Sequence, residues 1–234
     1  MNLMTFQPML TAAYAPWLPD VALARWAQHG TWGVMLGVAV LALGAKLHLH
    51  WQWRWALSLG VALWSLWPGP ASPAYWLGLA FQAPSLMAVV LGVVWVCRLP
   101  SRRFFADHRS PTGAGFWWVL VVVLVLLGWV LLLDMLAWWP VSVYAWGFGP
   151  AALALACGLT VLLWFLGGAS QPGRNTVWCL ATVLTVFVVT RLPSGNLWDA
   201  LLDPCLWLVL QVAGGVNLWR SRFSARPWSA ATHA

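Results

Sequence analysis

Residues 116–139 read FWWVLVVVLVLLGWVLLLDMLAWW, an apolar run interrupted by one charged side chain, Asp134. At helical rise this run covers about 36 Å, enough to cross the roughly 30 Å hydrocarbon core of a bilayer. The rest of the chain has the same character. It is 62% hydrophobic and 7% charged, with no Glu and a single Lys, whereas a soluble domain carries about 25% charged residues.

Working outward from this run, further apolar stretches fall at Thr31–Ala45, Trp53–Trp67 and Tyr75–Cys97 on one side, and Ser142–Gly167, Val177–Thr190 and Trp198–Leu218 on the other. The basic residues order them. Lys46 and Arg54 fall in the first connection, Arg98, Arg102, Arg103 and Arg109 in the third, Arg174 in the fifth, and Arg220, Arg222 and Arg226 in the tail. These are ten of the twelve Lys and Arg residues. Because basic loops stay on the cytoplasmic side, the expected fold is an all-α polytopic bundle of about seven transmembrane helices, N-terminus outside and C-terminus cytoplasmic. The expected organisation is a short periplasmic or interfacial segment over residues 1–30, one transmembrane domain over 31–219, and a basic cytoplasmic tail over 220–234. Residues 1–19 carry no charged side chain. The basic n-region of a signal peptide is therefore missing, and the first span is expected to stay in the mature protein. The first, second and sixth stretches are near 15 residues, about 22 Å of helix, and must borrow flanking residues to cross; one of them is a candidate re-entrant segment.

Tryptophan follows the same map. Of 22 Trp, only Trp129 and Trp207 lie well inside a stretch; the others cluster at the ends, where an indole finds both apolar cover and a hydrogen-bond partner. The net charge of +7 sits beside apolar spans and not on a soluble face. It points to anionic lipid, and no nucleic acid is expected as a partner.

Three constellations carry candidate chemistry. From Lys46 to Trp55, polar or basic residues alternate with Leu and Trp. That period of two predicts an extended interfacial segment in which Lys46, His48, His50 and Arg54, helped by Arg98, Arg102 and Arg103, contact anionic lipid. A third metal ligand is missing beside the two histidines, so no metal is expected. Asp134, Arg191, Asp199 and Asp203 form the second group, intramembrane or near it. Carboxylates there are costly and face the protein interior, either as a structural clamp between Arg191 and Asp199 or Asp203, or as a proton or cation path. Gln82 with Pro84 and Ser85 is the third, a kink or a helix-packing point within the Tyr75–Cys97 stretch.

Several activities are argued against. All five histidines lie at span ends or outside them, which disfavours a transmembrane b-type haem. Without Glu there is no H-E-x-x-H motif. Cys97, Cys157, Cys179 and Cys205 show no C-x-x-C spacing and read as packing residues. The expectation is a non-catalytic membrane subunit or scaffold of a larger assembly. The alternatives are a small transporter or channel that uses the carboxylates, and a protein that binds a lipid or an unknown cofactor on Trp surfaces. High Arg over Lys and the lack of other targeting signals favour a bacterial inner membrane.

Overall fold

The computed structural model describes residues 18–98, 111–138, 140, 142–167 and 171–224. They form helices α1 (Val21–Lys46), α2 (Trp51–Ser65), α3 (Pro73–Phe81), α4 (Leu86–Arg98), α5 (Pro111–Met135), α6 (Val143–Trp146), α7 (Pro150–Gly167), α8 (Gln171–Thr190), α9 (Leu197–Leu201) and α10 (Pro204–Ser224), with no strand among the described residues. Two stretches, Trp118–Met135 and Gly173–Thr190, are long and apolar enough to cross a membrane; Leu86–Cys97, Pro150–Leu166 and Pro204–Trp219 are apolar but shorter.

Helix starts follow local chemistry. Asp20 accepts a hydrogen bond from Leu23 N at 2.9 Å, so α1 begins well before the apolar stretch at Thr31. Ser72 caps α3, whose first residue is Pro73, and Pro150 and Pro204 open α7 and α10; proline fits the first helical position because its missing N–H would be unpaired there in any case.

Three apolar stretches that read as single spans are interrupted. Tyr75–Cys97 divides into α3 and α4 at residues 82–85. Pro84 removes a backbone donor and disfavours helical conformation in Ala83, and Gln82 takes φ 61°, ψ −151°. Ser142–Gly167 divides into α6 and α7, and Trp198–Leu218 into α9 and α10.

The helices α1 and α2 pack closely as a hairpin. A Cβ on Gly33 would lie 3.0 Å from Ala62 O, and Ser58 Oγ donates to Gly37 O at 2.8 Å; small residues four apart let the two backbones approach. His29 Nδ1 and Ser72 Oγ both bond Ser65 O, at 2.8 and 2.9 Å, which adds α3 to the hairpin. Around α8 lies the main core. Val183 and Phe187 are fully buried there with Met87 of α4, Leu120 and Leu124 of α5, Leu163 of α7 and Leu197 of α9. Trp129 and Trp207, the two interior tryptophans, meet edge to face at 5.2 Å. Trp207 Nε1 donates to Val125 O at 3.1 Å, and the indole occupies the space a side chain on Gly128 would need.

The connector from Lys46 to Trp55 is not extended. Lys46 ends α1, residues 47–50 turn with His48 at φ 54°, and α2 begins at Trp51. The alternation therefore does not sort its members onto two sides. Trp51 and Trp55 pair one helical turn apart, at 6.4 Å, while the stem of Arg54 lies over Gly44, where a Cβ would come within 2.9 Å of its Cγ. The period-two pattern lost to the helix hairpin, which turns at residues 47–50 and packs Arg54 over Gly44.

Candidate functional site

At the end of the bundle that carries α6 and α9, each acidic side chain is engaged. Asp203 precedes Pro204 and caps α10: its Oδ1 accepts from Leu206 N at 2.8 Å. Its Oδ2 accepts from Ser85 N at 2.9 Å and Ser85 Oγ at 2.6 Å, and Ser85 Oγ in turn accepts from Ala88 N at 3.1 Å in the first turn of α4. Two helix N-termini thus converge on one carboxylate, where their free N–H groups and dipoles favour negative charge.

Asp134 lies in the last turn of α5 and holds the start of α6, accepting from Ser142 Oγ at 3.2 Å, Val143 N at 3.1 Å and Tyr144 N at 2.8 Å. Asp199 Oδ2 accepts from Tyr144 Oη at 2.8 Å and from Ser194 Oγ. Between them Asn196 is fully buried. Its Nδ2 donates to Tyr144 O at 3.0 Å and its Oδ1 accepts from Trp198 N at 2.9 Å. Trp198 Nε1 reaches Val143 O at 3.0 Å, and Leu197 N reaches Gly147 O at 2.9 Å. Gly147 is required here: a Cβ on it would fall 1.8 Å from Asn196 Oδ1. Arg191 closes α8 at φ 55° with its guanidinium 5.2 Å from the centre of the Phe187 ring.

Beside these contacts is a crevice of about 400 Å³, walled by the first turns of α1, the break at 81–83 and the segment 193–204. Of the residues expected from sequence, Gln82, Asp199 and Asp203 line it; Asp134 and Arg191 do not. Two lining side chains, Arg25 and Gln28, carried no signal except their place in the first turns of α1. The partnership of Ser85 with Asp203 was likewise not legible as a pair, although Asp203-Pro204 is itself a helix-start signature.

The other candidate group lies at the opposite end of α1. Lys46, His48 and His50 are exposed around the turn, and Arg54 is half-buried. Arg54 Nε is buried without a hydrogen-bond partner among the described residues. Arg102 and Arg103 lie outside the described residues, and Arg98 is the last residue of α4. Among the described residues no three His, Cys, Asp or Glu side chains gather as a metal site would need. The chain matches no protein-family model, no curated protein and no solved structure.

Proposed function

We propose that the chain is a seven-span protein of a bacterial inner membrane, N-terminus outside and C-terminus cytoplasmic, that serves as a non-catalytic subunit or scaffold of a larger membrane assembly. The spans would be α1, α2, α3 with α4, α5, α6 with α7, α8, and α9 with α10. Broken helices are tolerated in a bilayer where the freed backbone groups find partners inside the protein, and Asp203 supplies such partners at two of the breaks. Large apolar side chains such as Phe165, Val189 and Leu155 are 80%, 78% and 70% exposed, as lipid or partner helices would require.

The observation that carries the non-catalytic reading is that Asp134, Asp199 and Asp203, the carboxylates read as either a structural clamp or a proton or cation path, each hold a helix end or a loop. A transporter is the competing reading, favoured by the crevice that Gln82, Asp199 and Asp203 share. The turn at Lys46–Arg54 would contact anionic lipid, and the buried Arg54 Nε is the group most in need of a phosphate oxygen.

Topology is tested by reporter fusions. A periplasm-active enzyme fused near Ser142 or Pro193 should be active, and one fused near Ser110 or after Ala234 silent; the opposite pattern refutes the orientation. Pull-down from native membranes with mass spectrometry should recover fixed partner subunits. A protein that purifies alone as a stable particle, and that loses an uptake activity in a well-folded Asp203→Asn variant, would replace the scaffold with the transporter.

A further inference from the structure

The crevice is built unlike the contacts beside it. Its back wall is fixed: Asp203 by Ser85 and Leu206 N, Asp199 by Tyr144 and Ser194, and the Gln82 carbonyl by Trp32 Nε1 at 2.7 Å. The polar heads of Arg25, Gln28 and Gln82, by contrast, line the same space and make no hydrogen bond or ion pair with the described residues. The carboxamide of Gln28 lies over Gly78 of α3, its nitrogen 1.5 Å from where a Cβ there would be. Aliphatic cover comes from Leu202 and Pro204.

Charge is divided across the space. Arg25 stands on α1, and the two carboxylates stand on the facing segment, so an anion is attracted to one wall and a cation to the other. A lone anion would meet two carboxylates, and a lone cation would leave Arg25 unmatched. A volume near 400 Å³ lies at the small end of the roughly 300–1,000 Å³ range of small-molecule sites. We propose that this crevice binds a compact zwitterion, an ammonium and a phosphate or carboxylate joined by a short aliphatic linker, with the anion on Arg25 and Gln28 and the ammonium beside Asp199 and Asp203. Two sources share that chemistry, the phosphoethanolamine headgroup of a membrane lipid and a free solute of the same kind. The inference goes beyond the scaffold reading and does not rest on it, since the crevice is lined by side chains of this chain alone.

Purified full-length protein would be titrated with O-phosphoethanolamine in detergent, and separately reconstituted with phosphatidylethanolamine and examined by native mass spectrometry. Saturable one-to-one binding of at least one probe is expected. Arg25→Gln should weaken it on the order of tenfold, the loss of one charge-assisted contact. Arg25 is exposed, so its variant should keep the thermal unfolding temperature of the parent. Phosphatidylglycerol, which lacks the ammonium, should not compete. Binding of the lipid alone assigns the source to the membrane, and binding of the free solute shows that the headgroup chemistry suffices. Absence of saturable binding to both probes, binding indifferent to Arg25→Gln, or equal competition by phosphatidylglycerol overturns the proposal.

Discussion

The two ends of the bundle solve the problem of polar groups among apolar helices in opposite ways. At the end built from α6, α9 and the breaks before α4 and α10, three carboxylates accept from backbone donors and hydroxyls of other segments, and one buried asparagine donates to the distant Tyr144 carbonyl. At the Lys46–Arg54 turn there is no acidic residue, and Arg54 Nε is buried without a protein acceptor among the described residues. A polar group away from water is costly until something bonds it. The first end ties its helix ends together with acceptors from within the chain, whereas at the second no acceptor for Arg54 Nε is found among the described residues. The lipid phosphate proposed above would be such an acceptor.

That contrast can be broken most directly at Asp203. Asp203→Ala removes the acceptor for Leu206 N, Ser85 N and Ser85 Oγ together. It should cost about 2–4 kcal/mol, the loss of a helix cap plus buried donors left unpaired. Thermal unfolding in detergent measures it, and Asp203→Asn, which can still cap, should cost clearly less. A variant as stable as the parent would remove the structural role assigned to this carboxylate.

Next in size is a pair of glycine substitutions. Gly147→Ala drives a methyl group into the locked Asn196 side chain and should destabilise by about 1–3 kcal/mol, as overpacking does. Gly44→Ala meets Arg54 Cγ and Leu49 Cδ1, side chains of the turn that can shift, and should cost less than Gly147→Ala, about 1 kcal/mol. Equal effects at the two sites would show that the ends are equally rigid.

Smaller still are the charges of the turn. Lys46→Gln with Arg54→Gln should weaken retention of anionic lipid by about 1 kcal/mol per charge, read as loss of co-purified phosphatidylglycerol at unchanged helicity. His48→Gln with His50→Gln should leave both lipid and metal content as they were. Stoichiometric zinc or copper that disappears in the histidine variant would contradict the lipid assignment.

Much of the fold was legible where a single physical cause acts. Run length and apolarity mark α5, whereas the stretch Val177–Thr190, near 15 residues as read, belongs to the longer helix α8 (Gln171–Thr190), and the helix starts at Pro73 and Pro204 were not read from the sequence. The kink expected near Gln82 is a full break, because Pro84 acts together with an acceptor 118 residues away that no local pattern reveals. The alternation at Lys46–Trp55 misled for a related reason: the segment turns between two helices that pack together, with Arg54 over Gly44, a property of two helices in contact. At the crevice, Gln82, Asp199 and Asp203 drew notice as polar residues in apolar surroundings. Arg25 and Gln28 did not, since their surroundings in sequence are unremarkable and only the fold of α1 against α3 brings them in.

The bond between Ser85 and Asp203 also sets an order of assembly. Synthesis at about 5–20 residues per second delivers Asp203 on the order of ten seconds after Ser85. Throughout that interval the amide and hydroxyl of Ser85 lack the carboxylate that later joins them, a costly state for backbone groups away from water. The break between α3 and α4 is therefore closed from the far end of the chain. A nascent chain arrested before Asp203 would present the break between α3 and α4 without the acceptor that joins it to the start of α10.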